Sequence, residues 1–250
     1  RVLPDLSVPH LPAVFALGDT ALATDDYGNA VPGLAPAAKQ GGAHVLRGGA
    51  FKVRTSPTAF QGLGWDGWKL LREAADAHGL LTVSEILDEG QIEPARRYVD
   101  FAQIGSRNMQ NVPLLKALGR SRMPVMLKRG FGCTIDEWVH AAEYILREGN
   151  QDVVLCERGI RTFETATRFT LDVAAVPIAK QRLGLPVIVD PSHAAGKRDW
   201  VESLTLAGVA CGADGLLVET HPEPAVGLSD LIGLGDEIGA LNDYTYRQDP

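Results

Sequence analysis

The chain has 250 residues, 45% hydrophobic and 22% charged, ordinary globular values that exclude disordered, collagen-like and coiled-coil readings. A net charge of −7 argues against a non-specific nucleic-acid binder, and no long apolar run marks a membrane span. Cys133, Cys156 and Cys211 lie far apart without CxxC spacing, so neither a disulfide scaffold nor a zinc ribbon is expected, and a reducing cytoplasm is the expected location. The opening RVLPDLSVPHLP has no apolar signal core and is read as a short N-terminal extension, residues 1–12.

In chain order, the first strand is expected at AVFAL (13–17) and the second at HVLRG (44–48). The segment VRTSPTAFQGLG (53–64) shows neither helical nor strand period. A loop that long in a compact domain is usually functional, and its Phe60 and Leu63 suggest that it packs down as a lid. A helix follows at WDGWKLLREAADA (65–77), then strands at LTVSEIL (81–87) and FAQIG (101–105), and a helix at PLLKALG (113–119). PVMLK (124–128) is the fifth strand, opened by Pro124, where a missing N–H does least harm. TIDEWVHAAEYILREG (134–149) begins with Thr134 and Glu137 at capping-box spacing and closes at Gly149-Asn150. DVVLC (152–156) is short and continuous, as a strand buried on both faces should be. A helix is expected over ETATRFTLDVAAVPIAKQRLG (164–184), a strand at PVIVD (186–190), a helix at RDWVESLTLAGVACG (198–212) and the last strand at GLLVE (215–219).

Eight strand-like runs alternating with helices in about 250 residues predict an α/β fold, a (β/α)8 TIM barrel forming a single domain over 1–250. No GxGxxG turn follows the first strand, which weighs against a dinucleotide-binding sheet.

In such a barrel the C-terminal ends of the strands form the active face. Those ends carry Arg47, Lys52, Arg54, Arg107, Lys128 with Arg129, Arg158, Asp190, His193 and Glu219. Setting aside six of the 24 basic residues (Arg47, Lys52, Arg54, Arg107, Lys128, Arg158) leaves 18 against 31 acidic ones, so positive charge is concentrated at one end of an acidic body. That sign focuses anions, and arginine forks suit phosphate and carboxylate. The competing reading is that some of these cations pair with Glu85, Glu157 or Asp190 and only tie the barrel mouth. His193, Glu219 and Asp230 follow neighbouring strands, and one imidazole with two carboxylates suits a divalent metal such as Mn, Fe, Co or Zn. A hydrogen-bonding role for a lone strand-end histidine is the alternative.

The segments LRGGAFKVRTSPTAFQGLG, QIGSRNMQN, LKRGF, LCERGIRTFETATR, DPSHAAG and VETHPEP closely resemble the 3-deoxy-D-arabino-heptulosonate 7-phosphate (DAHP) synthases. The class is the one related to 3-deoxy-octulosonate 8-phosphate synthases, and the likeness covers about residues 40–230. The resemblance implies a (β/α)8 barrel that condenses phosphoenolpyruvate with erythrose 4-phosphate, giving DAHP and phosphate at the entry to the shikimate pathway. By resemblance, Arg47, Lys52, Arg107, Lys128 and Arg158 match phosphoenolpyruvate-binding positions. Arg54, Thr55 and Ser56 match positions that hold the sugar phosphate, and Asp190 is grouped with the substrate-binding residues. His193, Glu219 and Asp230 match three of four metal ligands. The fourth, a cysteine after the first strand, has no counterpart in FALGDTALATDDYG (15–28), where Asp19 is the nearest oxygen donor. Metal binding weaker than is usual for the family, or none, is therefore expected. Other departures are Val53 within the Lys-x-Arg-Thr segment and Ser106 before Arg107.

Lys52 is the candidate for delivering a proton to the developing alkoxide, with His193 the second catalytic candidate. The expected partners are small phosphorylated substrates and further copies of the chain, as a dimer or tetramer, with no nucleic acid and no membrane. Three alternatives stand beside the synthase: a divergent relative with another acceptor or reaction, a non-catalytic barrel that binds an anion or a partner chain, and an aldolase with Lys128 as Schiff-base amine.

Overall fold

The computed structural model describes residues 43–53, 58 and 61–219, together with the backbone of 13–16. Short Val- and Leu-rich runs form eight strands: β1 (Ala13–Ala16), β2 (Val45–Arg47), β3 (Leu81–Glu85), β4 (Phe101–Ile104), β5 (Val125–Lys128), β6 (Val153–Glu157), β7 (Val187–Val189) and β8 (Gly215–Val218). All neighbours pair in parallel, in the order β1-β8-β7-β6-β5-β4-β3-β2, and the two ends of that order, β1 and β2, lie alongside each other. This is the (β/α)8 barrel expected from the alternation. The helices that return the chain between strands are α1 (Trp65–His78), α2 (Ile92–Ala95), α3 (Val112–Ser121), α4 (Ile135–Arg147), α5 (Ala175–Leu183), α6 (Pro191–Ala195) and α7 (Val201–Ala210).

Successive strand residues alternate between two cores. Val125, Leu127, Val153, Leu155, Val187, Val189, Leu216 and Val218 face outward, into one continuous apolar layer beneath the helices. Val45, Val83, Met126, Val154, Cys156, Ile188 and Leu217 face inward and fill the barrel. Both faces of β2 to β8 are thus covered, which is why those runs show no hydrophobic-polar alternation until their ends. The helices dock by polar anchors as well as apolar faces: Trp68 Nε1 donates to Ser84 Oγ at 2.9 Å, and Trp138 Nε1 donates to the Leu127 carbonyl at 3.2 Å. Thr134 and Glu137 make the reciprocal capping box at the start of α4.

Two expectations change. The helix expected over 164–184 begins only at Ala175. Pro177 is its third residue, where a missing N–H costs nothing; a helix already running from 164 would place that proline in its interior, without the bond to Val173 and against its carbonyl. Residues 159–174 instead fold back on themselves, with Ile160 and Thr170 bridged antiparallel. Unexpected also is α6, a single turn after β7, capped by Asp190 through the His193 N–H at 3.0 Å. Of the supposed lid over 53–64, Phe60 and residues 54–57 and 59 lie outside the described residues, while Leu63 is half-buried.

Candidate active site

The inward alternation carries straight into the site. Two residues beyond the inward apolar residues Val45, Val83, Phe101, Met126, Cys156, Ile188 and Leu217 stand Arg47, Glu85, Gln103, Lys128, Arg158, Asp190 and Glu219. One more step along each inner face therefore exchanges the apolar plug for a ring of charge at the C-terminal mouth. Most of that ring, with Lys52, Ser106, Arg107, Arg168 and His193, lines a cavity of about 180 Å³.

On one side of the cavity runs a chain of contacts. Lys128 Nζ donates to Asp190 Oδ2 at 2.6 Å, His193 Nδ1 lies 2.8 Å from the same oxygen, and His193 Nε2 lies 3.1 Å from Glu219 Oε1. Arg47 Nη2 donates to that Glu219 oxygen at 3.4 Å. Asp190 is fully buried; burial opposes its charge, but the adjacent His193 and Lys128 outweigh it and hold the carboxyl well below the usual carboxylate range. Burial acts the other way on His193, lowering the imidazole from its ordinary value and favouring the neutral ring. A neutral ring carrying its proton on Nδ1, beside the Asp190 carboxylate, would turn a lone pair at Nε2 toward the Glu219 carboxylate. Two electron-rich atoms at that separation suit a cation shared between them, so the donor set fits a divalent metal. Asp230, the third expected ligand, lies outside the described residues, as does Asp19. Among the described residues, no group of three or more His, Cys, Asp or Glu side chains could hold a metal.

On the other side stand the cations. Arg158 is 5% exposed, and its Nε and Nη1 have no hydrogen-bond partner. Burial lowers its guanidinium from the ordinary value, the Asp190 charge opposes this and Arg168 adds to it. The guanidinium remains a cation at any physiological pH, so two of its buried donors are turned toward a ligand or water. Its carbon sits 4.3 Å from the Phe169 ring centroid, and that of Arg107 sits 5.5 Å from the Phe131 centroid, the two rings being stacked. Lys52 is buried at the cavity wall, its backbone N–H bonded to the Gln61 carbonyl at 2.9 Å. Arg54, Thr55 and Ser56 lie outside the described residues.

Among the described residues, the competing reading of the mouth cations holds at Lys128, which pairs with Asp190, and at Arg47, which pairs with Glu219. Asp190, expected among the substrate-binding residues, is fully buried behind the cavity wall: Lys128 Nζ donates to one of its oxygens and the His193 N–H to the other, with His193 Nδ1 2.8 Å from the first. Arg129 faces away from the cavity and joins Glu157 at 2.9 Å and Asp172 at 2.7 Å. Cys156 faces the barrel interior, where burial pushes its thiol up to about 12, so it is neither nucleophile nor ligand at neutral pH. Sequence reasoning missed Arg168, which lies within the helix expected over 164–184. Glu85, expected only as a partner for the mouth cations, also lines the cavity, and the close approach of its carboxylate to Gly105 leaves no room there for a Cβ.

The sequence model of the DAHP synthetase I family matches residues 26–242. The phospho-2-dehydro-3-deoxyheptonate aldolase of Thermotoga maritima is 54% identical over 189 residues, 76% of this chain and 56% of that protein, so the aligned region spans little more than half of the relative. A 2-dehydro-3-deoxyphosphooctonate aldolase of Geobacter sulfurreducens is 31% identical over 189 residues, covering 71% of this chain and 68% of its own length. Among solved structures, the Thermotoga maritima DAHP synthase superposes with a TM-score of 0.84 at 44% identity, over 94% of this chain and 71% of that one. A truncated form of the Thermotoga enzyme gives 0.83 at 42% identity, over 96% of this chain and 89% of that one. With a family match across most of its length and relatives this similar, the chain belongs to the DAHP synthetase I family.

Proposed function

We propose that the chain condenses phosphoenolpyruvate with erythrose 4-phosphate to give DAHP and inorganic phosphate. The observation that carries this reading is the Arg158 guanidinium, buried with two unpartnered nitrogens beside Arg107 and Lys128 at the barrel mouth, in a family whose Thermotoga member bears the DAHP synthase name. Phosphoenolpyruvate brings a carboxylate and a phosphate, and Arg107, Lys128 and Arg158 are arranged to neutralise both while holding the enol carbon toward the acceptor. That carbon attacks the aldehyde carbon, forming the new C–C bond. Lys52, on the β2 side of the cavity, is the group placed to give a proton to the aldehyde oxygen. Water then adds at C2, and the C2–O bond to phosphate breaks. A divalent metal bound by His193, Glu219 and Asp230 would act as a Lewis acid on the acceptor oxygen. Asp190 keeps the His193 ring oriented for that role from Nδ1.

Phosphate release from phosphoenolpyruvate, measured with a panel of aldose phosphates with and without Mn²⁺, tests the reading. Turnover with erythrose 4-phosphate is expected. Turnover only with another aldose phosphate would make the chain a divergent relative, and none with any of them would leave an anion-binding barrel. Arg158→Ala is expected to weaken phosphoenolpyruvate binding by about 1.5–3 kcal/mol, the worth of a charge-assisted pair, and calorimetry showing wild-type affinity would defeat the assignment. A Schiff-base mechanism at Lys128 is disfavoured by its 2.6 Å pairing with Asp190. Borohydride reduction with carbonyl substrates should leave no adduct on Lys128 in a mass spectrum; an adduct there would move the chain to the Schiff-base aldolases.

A further inference from the structure

The loop after β6 carries two arginines into one cavity, and only the first has a role in the reading above. Arg158 is buried with two unpartnered nitrogens, whereas Arg168 stands at the exposed rim of the same cavity. Both guanidinium groups rest against one ring: their central carbons lie 4.3 Å and 5.6 Å from the Phe169 centroid. No carboxylate among the described residues pairs with either. Burial lowers the Arg158 guanidinium most, the Asp190 charge opposes this, and the Arg168 charge adds to it. Two cations that line one cavity with no paired carboxylate are both satisfied by an anion bound there.

The surroundings are specific. The Arg168 N–H donates to the Ala195 carbonyl at 3.2 Å and the Phe169 N–H to the Ala194 carbonyl at 2.9 Å, which pins the loop to α6, the turn that carries His193. Gly196, at φ 69°, lies directly under the Arg168 side chain: a Cβ there would stand 2.6 Å from the Arg168 Cβ. Phe169 in turn packs over Gly159, at φ 89°, where a Cβ would meet the Phe169 Cβ at 2.7 Å. The chain thus uses two glycines in left-handed backbone to bring this loop against the strand ends. By contrast Arg161, also exposed and stacked 4.4 Å from the Phe131 centroid, does not line the cavity.

We infer that Arg168 is a further substrate-binding residue, closing with Arg158 as a two-guanidinium clamp on a phosphate dianion, the phosphate of phosphoenolpyruvate. This rests on the proposed function for the identity of the substrate, but not for the existence of the clamp. The β6–α6 side of the cavity, where both arginines stand, is opposite in chain order to the β2 segment assigned to the acceptor, and that favours phosphoenolpyruvate as the source of the phosphate. The rim position suits a group that meets the incoming dianion first and then covers it, while Arg158 holds it from within.

The test is calorimetric binding of inorganic phosphate, phosphoenolpyruvate and erythrose 4-phosphate, without turnover, to wild type, Arg168→Gln, Arg168→Lys and Arg161→Gln, with thermal melts to show that each is folded. Arg168→Gln is expected to weaken both inorganic phosphate and phosphoenolpyruvate about tenfold and leave erythrose 4-phosphate unchanged. Arg168→Lys, which keeps the charge but loses the fork, should fall between. Arg161→Gln should bind as wild type does. Unchanged phosphoenolpyruvate affinity in folded Arg168→Gln overturns the clamp. So does an equal loss in Arg161→Gln, which would mean a diffuse field, or a loss confined to erythrose 4-phosphate. If wild type binds inorganic phosphate through Arg168 but not phosphoenolpyruvate, the clamp stands and the condensation reading falls; if it binds neither, both fall.

Discussion

Arg129→Ala is expected to lower the free energy of unfolding at neutral pH by about 3–5 kcal/mol, the cost of leaving a buried charge without its partner. The Arg129 side chain is 3% exposed and Glu157 fully buried, with Asp172 completing the group at the start of the chain's return toward α5. Burial pushes the Glu157 carboxyl up against the pull of Arg129, so removing the cation leaves Glu157 charged in an apolar shell, or forces it to take a proton. Glu157 also accepts from the Gly159 N–H at 2.6 Å, and its loss of order would release the turn that sends Arg158 inward. The sign with pH follows: because a protonated Glu157 needs no partner, the deficit of Arg129→Ala should shrink as pH falls below neutrality. Chemical denaturation of wild type and variant across that range checks this. A deficit under 1 kcal/mol at neutral pH would show that water replaces the cation at little cost.

Asp190→Asn is expected to have a comparable effect on stability, about 3–5 kcal/mol, and a separate effect on chemistry. The carboxylate faces Lys128 at 2.6 Å and His193 Nδ1 at 2.8 Å, both within a site closed to solvent on that side. An amide leaves Lys128 without its counter-charge and can present an N–H to Nδ1, which turns the imidazole to the wrong tautomer. Losses of about 10–100-fold in activity or metal affinity accompany such changes behind a metal-binding histidine. Since the wild-type carboxyl is held below the usual carboxylate range, its contribution is present in full above the unfolded value of about 3.9. It is lost as pH falls through the folded value. The part of the difference between wild type and Asp190→Asn that comes from the Asp190 charge itself should therefore stay constant above about pH 5 and narrow only below about pH 4. A variant with wild-type phosphate release would show that Lys128 and His193 do not depend on Asp190 for their placement.

Most of the barrel was legible before any contact was known. The eight runs from AVFAL to GLLVE each became a strand within two residues at either end, because a parallel strand buried on both faces demands a short continuous apolar run and little else in a chain produces one. The capping box of Thr134 and Glu137 was local chemistry and formed as read. So was the placing of Arg47, Lys128, Arg158 and Glu219 at the mouth: a period of two, continued one step past the last inward apolar residue, takes each of them to the cavity.

The sequence by itself determined the barrel, the gathering of cations at its mouth, and, through long motifs such as LCERGIRTFETATR and DPSHAAG, the family. Only the tertiary structure decided which mouth cations are already paired. Lys128 meets Asp190 across 62 residues and Arg47 meets Glu219 across 172, separations at which no periodicity carries information. It also decided that residues 159–174 are a folded-back loop and not a helix. The apolar and polar spacing there satisfies a helix locally, but Pro177 needs the first turn, and Arg168 and Phe169 find better partners in the Ala195 and Ala194 carbonyls than in their own segment. Backbone bonds to a distant turn outweighed a weak local propensity, and that is why Arg168 stands in the cavity.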